Sequence, residues 1–172
     1  MRVVRRAAAE DAAALAGLAA RSFAVKFGDL YPPDVLAAFL AERYSVPQTL
    51  ALIGNPALAV WVVNDGGLQA YAVLGPCKLP HTGVTAGCVE LQRLYTAPEA
   101  TGMGLGSLLM TTVAVPAFEA AARAGGDAWL GVYAGNPGAQ RFYARWGFVA
   151  VGEYEFPVGP VRDREIIMRR QP

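Results

Sequence analysis

The stretch that most constrains this chain is ATGMGLGSLLM, residues 100–110, in which three glycines two apart run directly into an apolar segment. Glycine at such density signals positive φ or a close approach to the backbone. Placed ahead of a helix, whose first N–H groups have no partner inside it, the stretch also suits an anion. The segment that follows, residues 104–124, sets Leu105, Leu108, Leu109, Val113 and Phe118 at helical spacing, and Pro116 is expected to bend that helix rather than end it. Two familiar phosphate loops do not fit. A dinucleotide fingerprint needs G-x-G-x-x-G after the first strand with an acidic residue about 20 positions on, and a P-loop needs Gly-Lys-Ser/Thr. Here the spacing is G-x-G-x-G past mid-chain, and Ser107 follows Gly106 with no lysine near. A flexible loop without a ligand is the plain alternative.

The rest of the chain reads as alternating periods. RVVR (2–5) is a short strand, residues 9–22 an amphipathic helix, and FAVKFGDLYPP (23–33) an aromatic loop whose prolines start a helix over 34–44. Ser45 caps a further short helix, VPQTLALIG. LAVWVV (58–63), the turn NDGG and LQAYAVLGP (68–76) form a hairpin, since Asp-Gly and Gly-Gly tolerate the positive φ of a tight turn. Strands follow at 87–97 and 128–134, a helix at 137–147 with Pro137 near its start and Gly147 past its end, and two closing strands. This order predicts an α/β fold, a mixed sheet with helices on both faces, in a single domain over 1–172.

Composition narrows the function classes. At 54% hydrophobic and 17% charged residues with a net charge of +1, the chain folds well and carries no basic stripe for nucleic acid. Cys77, Cys88 and the sole histidine, His81, lack metal-ligand or Ser/His/Asp spacing, so no metal is expected. The basic, alanine-rich N-terminus is interrupted by Glu10 and Asp11, no segment reads as a bilayer span, and a cytoplasmic protein without membrane contact is expected.

The series from VELQRLYTA through Pro98, the glycine loop, a long helix and a strand ending at Asn136 resembles the acyl-CoA core of GNAT-type N-acetyltransferases. That family's loop, Arg/Gln-x-x-Gly-x-Gly/Ala, is matched by Gly104-Leu105-Gly106. Its second hallmark is matched by Asn136, Ala139, Phe142, Tyr143, Gly147 and Phe148. One departure is Thr101, where the family carries a long polar residue. The resemblance implies a mostly antiparallel central sheet with a splayed central pair of strands, and acetyl-CoA as co-substrate. Backbone amides of Gly102, Met103, Gly104, Leu105, Gly106 and Ser107 would hold the diphosphate, with the Thr101 and Ser107 hydroxyls beside them. Leu94, Tyr95 and Thr96 would line the acyl arm through their main chain, with Asn136 and Tyr143 also on the cofactor.

Acetyl transfer to an amine needs a neutral nitrogen and a proton for the departing thiolate. By its matching position Tyr143 is the candidate acid, a phenol with an ordinary pKa of about 10. Glu90, ahead of LQRLY on its strand, is the candidate base, through water. A solvated or salt-bridged strand glutamate is its ordinary alternative, as aromatic core is for Tyr143. In the resembled fold the acceptor lies by the first interhelix loop and the last hairpin. Here those bring Phe27, Tyr31 and Glu153, with Asp29, Tyr154, Glu155 and Phe156, a set suited to a cationic amine. GEYEF and RDREIIM also resemble the bacterial polyamine acetyltransferases, which implies direct attack in a ternary complex. A peptide or protein amine as acceptor, and a non-catalytic acyl-CoA sensor, are the competing readings. The exposed strands permit a homodimer without requiring one.

Overall fold

A computed structural model describes residues 1–171. The strands are β1 Val3–Arg6, β2 Ala59–Asn64, β3 Leu68–Pro76, β4 Val89–Thr96, β5 Ala128–Tyr133, β6 Val149–Val158 and β7 Val161–Arg170. They form a seven-stranded sheet in the order β1-β2-β3-β4-β5-β7-β6. β4 and β5 run parallel, with Val89 opposite Ala128 and Glu90 opposite Trp129, while β1–β2, β5–β7 and β6–β7 are antiparallel. The helices are α1 Ala12–Phe27, α2 Pro33–Arg43, α3 Val46–Gly54, α4 Leu105–Leu109, α5 Val115–Arg123 and α6 Pro137–Ala144. The chain condenses into two compact units, one from Met1–Val73 and Arg93–Val113, the other from Leu74–Gln92 and from Ala114 onward.

In the first unit the turn from β1 into α1 is fixed electrostatically. Arg5 donates to both oxygens of Asp11 at 2.7 and 2.8 Å, and the Ala8 N–H donates to the same carboxylate at 2.8 Å. Buried Leu15, Leu18 and Phe23 give α1 its inward face, and Val60, Val62, Ala70 and Val73 answer from the sheet. Phe23 is the hub of an aromatic cluster with Phe27, Tyr31, Phe39 and Tyr44, at centroid distances of 5.0, 6.2, 4.9 and 5.7 Å. That cluster explains a difference from expectation. Residues 23–27 continue α1, and a 3-10 turn, Gly28–Leu30, follows. Phe23 and Phe27, one helical turn apart, both reach the cluster only if the helix is extended.

In the second unit α5 and α6 cover one sheet face, where Phe118 meets Phe148 edge-on at 5.5 Å. The other face carries Trp129 and Ile167, packed with Leu79 and Cys88 from the connection between β3 and β4. Arg169 lies over the Trp129 ring at 5.2 Å and is held there by Asp127.

The helix after the glycine loop is neither straight nor simply bent. A π-turn, Met110–Ala114, joins α4 to α5, and Pro116 sits in the first turn of α5. Proline has no N–H for the carbonyl four residues back and clashes with it, and a widened turn just ahead relieves both faults. The helical run Leu105–Arg123 has 19 residues and a mean hydropathy of 1.4, so by length and composition it could cross a membrane, contrary to the sequence expectation. Its buried members, Leu105, Leu109, Met110, Val113, Ala114 and Phe118, lie along one side. Thr111, Thr112 and Glu119 are exposed. That is the pattern of a core helix in a packed protein.

The Arg5 guanidinium holds the Asp11 carboxyl below its ordinary range. Its stabilising effect is therefore complete above the ordinary value of about 3.9 and is lost as pH falls through the lowered one. Asp11→Ala is expected to cost about 1–2 kcal/mol in urea unfolding at pH 7. The gap to the wild type should narrow progressively below about pH 4, and a gap independent of pH would contradict this assignment.

Candidate active site

The glycine loop of the first unit does what its composition suggests. Gly102 and Gly104 adopt φ of +83° and +76°, a region side chains avoid, and a Cβ built on either meets nothing within 4 Å. The glycines therefore serve backbone conformation rather than relief of crowding, and the space above them is open. Gly104 is the residue before α4, with no side chain capping the helix. The N–H groups of Leu105, Gly106 and Ser107 open the helix and have no carbonyl ahead of them in its ladder. The first ladder bond runs from Leu108 N–H to Gly104 O at 2.9 Å, whereas the Met103 N–H is already given to Ala100 O at 3.2 Å. The Thr101 hydroxyl points back to Ala97 O at 3.4 Å, so it is not aimed into the loop. Exposed Met103 contributes no packing. A ligand with anionic oxygens fits this array of open amides.

Leu94, Tyr95 and Thr96 close β4 in the same unit, all half-buried. Ser22 of α1 donates to Thr96 O at 3.1 Å, and Ala97 N–H donates to Gln69 O at 2.7 Å, which anchors the strand end. Tyr95 stacks on Tyr71 at 5.7 Å. Phe27 and Tyr31 belong to the aromatic cluster, Tyr31 being almost fully buried.

Glu90, Asn136, Tyr143 and Glu153 lie in the second unit. Glu90 is half-buried on β4, and its Oε2 accepts the Lys78 N–H at 3.0 Å. Burial raises its pKa, with that hydrogen bond and the Lys78 charge opposing. Asn136 is the N-cap of α6, its Oδ1 accepting the Ala139 N–H at 3.1 Å, which leaves its side-chain NH₂ for other partners. Tyr143 lies two turns further on, its ring edge-on to Phe142 and Phe148 at 5.3 and 6.1 Å. Desolvation pushes its phenol well above the ordinary value. Glu153 is exposed and accepts a 2.7 Å hydrogen bond from Arg164.

Three supporting residues carry no motif in the sequence. Gln140 donates to Tyr133 O and Ala134 O at 3.3 and 3.0 Å, clamping α6 to the end of β5 and so placing Tyr143. Ser22 anchors β4. Glu165 on β7 is half-buried, and desolvation followed by the Asp163 charge lifts it to about 7. An acidic residue in the inward-facing set of a strand, two positions from buried Ile167, is the signal that marks it. No group of three or more His, Cys, Asp or Glu among the described residues could hold a metal ion.

The family model described as acetyltransferase (GNAT) family matches residues 16–148. An uncharacterized N-acetyltransferase of Mycobacterium bovis is 31% identical over 164 residues, covering 94% of this chain and 97% of that protein. Another, from the pepI 3′ region of Lactobacillus delbrueckii subsp. lactis, is 26% identical over 155 residues, with 87% and 85% covered. Among solved structures, the PaiA N-acetyltransferase from Thermoplasma acidophilum in complex with coenzyme A superposes with a TM-score of 0.76 at 21% identity, over 100% of this chain and 99% of that one. The ribosomal-protein-S18-alanine N-acetyltransferase from Escherichia coli gives 0.70 at 18%, over 99% and 93%. The chain belongs to the acetyltransferase (GNAT) family and has its acyl-CoA N-acyltransferase fold. It is an acetyl-CoA-dependent N-acetyltransferase.

Gly104→Ala tests the open loop. The left-handed backbone at this position should make the variant less stable by about 1 kcal/mol. Coenzyme A affinity, measured by calorimetry on the folded variant, should fall by more, at least about tenfold, because the methyl stands where the ligand approaches. Unchanged affinity would mean that no ligand comes near this backbone.

Proposed function

We propose that this enzyme acetylates small cationic primary amines, polyamines among them, by direct attack of the amine on the thioester with both substrates bound. The observation that carries the reading is Glu90, a carboxylate half-withdrawn from water on β4 and held by one backbone N–H. A carboxylate with a raised pKa is a better base than a solvated one. It takes the amine's proton through water.

Acetyl-CoA supplies the activated acyl group. The amides of Gly102, Gly104, Leu105, Gly106 and Ser107 carry its diphosphate, the last three foremost, with the Ser107 hydroxyl beside them; the Met103 N–H, given to Ala100 O, takes no part. Thr101 adds its hydroxyl only by leaving Ala97 O. The main chain of Leu94, Tyr95 and Thr96 runs along the acyl arm, and the Asn136 side-chain NH₂ and Tyr143 serve the cofactor as well. A phenol raised this far keeps its proton throughout the working pH range. It is also a weaker acid than the thiol it serves, whose reference pKa is about 8.5. Its main contribution is therefore a hydrogen bond to the leaving sulfur, with complete proton transfer uphill.

On the acceptor side Phe27 and Tyr31 offer aromatic faces, and Glu153, already paired with Arg164, is an outer contact. The reading assigns one catalytic domain to 1–172 and a cytoplasmic setting, with no nucleic-acid or membrane partner and with a homodimer compatible. A protein α-amine as acceptor is the second reading, favoured by the likeness in fold to an enzyme named for a ribosomal-protein alanine.

Thiol release from acetyl-CoA across a panel of amines and peptides tests the proposal. Turnover with polyamines is expected, peptide-only turnover selects the second reading, and cofactor binding without any turnover selects a sensor. Tyr143→Phe should lower kcat about 10²-fold with KM for acetyl-CoA little changed. Glu90→Gln should lower kcat/KM by about 10²–10⁴. In the wild type kcat/KM should rise with pH through a limb above the ordinary glutamate value of about 4.3, because the base must be ionised and burial opposes ionisation. Persistence of that limb in Glu90→Gln would move the role elsewhere.

A further inference from the structure

The missing side chain of Gly131 on β5 makes room for the Tyr154 ring, which brings the Tyr154 hydroxyl and the Glu165 carboxylate together over it. A Cβ built there would lie 2.8 Å from the Tyr154 hydroxyl and 3.5 Å from Glu165 Oε2. The strand register explains the convergence. Glu165 on β7 stands opposite Tyr133 of β5 and Tyr154 of β6, and Ile167 stands opposite Gly131. Toward Trp129 this face is covered by Leu79 and Cys88, with Tyr154 packed against the cluster. His81 lies over Trp129 at 5.0 Å and against Gly152. Toward Glu165 the face stays half-open.

Two carboxylates stand near one another here. Asp163, two residues along β7, faces the same way as Glu165 and raises its pKa. The neighbouring arginines are engaged elsewhere: Arg164 with Glu153, Arg162 with Gly159 O and Arg169 with Asp127. No cation among the described residues pairs with Glu165. A carboxylate flanked by two tyrosine rings, with a hydroxyl beside it, suits an alkylammonium group. Glu90 shares this sheet face but stands opposite Trp129, four residues along β5 and two strands away, which sets the two Cα atoms roughly 16 Å apart. One nitrogen cannot meet both.

We infer that Glu165, with the Tyr154 hydroxyl over Gly131, is the specificity-determining receptor for a second, non-reacting ammonium of an elongated acceptor. The inference rests on the amine-acceptor reading above and sharpens it: acceptors with two separated cationic nitrogens are preferred to monoamines. Binding an ammonium there requires the ionised carboxylate, so acceptor binding should weaken as pH falls below about 7. Asp163 and Arg169 of β7, Tyr133 of β5, Tyr154 of β6, Glu90 of β4, and Cys77, His81 and Cys88 of the β3–β4 connection are the titratable and charged groups on that face.

Initial rates with spermidine and with butylamine, in wild type and Glu165→Gln between pH 6 and 9, decide the matter. Glu165→Gln is expected to raise KM for spermidine at least tenfold with kcat little changed, to leave butylamine unaffected, and to abolish the rise in spermidine KM below pH 7. Tyr154→Phe should shift the spermidine KM in the same direction by less. Thermal melting at pH 8 should show Glu165→Gln at least as stable as the wild type, since it removes a desolvated charge. Equal losses for both amines, or none for spermidine, would overturn the inference while leaving amine acetylation standing. Turnover of neither amine by the wild type would overturn both.

Discussion

Backbone N–H groups at the mouth of the helix that begins at Leu105 have no acceptor within the chain's own ladder, and the glycine loop ahead of them leaves them open. Gly102 and Gly104 take the left-handed φ that brings the loop into a helix without a capping side chain. A serine or aspartate before Leu105 would have satisfied one of those donors and closed the array. Their lack of a ladder partner leaves them to solvent or to a ligand. Leu105, Leu109 and Met110 bury the underside of the same helix, so the donors stand on a rigid base.

The proposed chemistry rests on a second withdrawal from water. Three groups of the second unit, Glu90, Tyr143 and Glu165, have pKa values raised chiefly by desolvation. Each raised value has a distinct consequence. A base gains strength, a phenol becomes a lasting hydrogen-bond donor, and a carboxylate near neutrality becomes sensitive to a neighbouring cation. Secondary structure sets which group receives which environment: a strand holds Glu90 against the Lys78 amide, and the Gln140 clamp fixes the helix that carries Tyr143.

Much of this was legible from residue patterns. Asn136 and Pro137 start α6 where expected, Ser45 caps α3 through the Gln48 N–H, and Gly66 and Gly67 carry the positive φ of the β2–β3 turn. The backbone of the glycine loop could be read because its positive φ values at Gly102 and Gly104 need residues without a side chain, which composition reports directly. The last hairpin was harder. A register shift between Ala150 and Gly152 changes which residues of β6 face inward, so counting alternate residues from Val149 misassigns the strand. Tyr154 joins Glu165 on the inner face, while Glu153 pairs with Arg164 in solvent. The length of α1 and the π-turn ahead of Pro116 depended on aromatic packing and on strain in the helix ladder, and neither leaves a local sequence signal.

The most direct test of the central claim is the backbone amide NMR spectrum of the intact protein titrated with coenzyme A and, separately, with pantetheine, which lacks the diphosphate. Coenzyme A should shift the amides of Gly104, Leu105, Gly106 and Ser107 and slow their hydrogen exchange, and pantetheine should not. Tight coenzyme A binding that leaves those four amides unmoved would contradict the account.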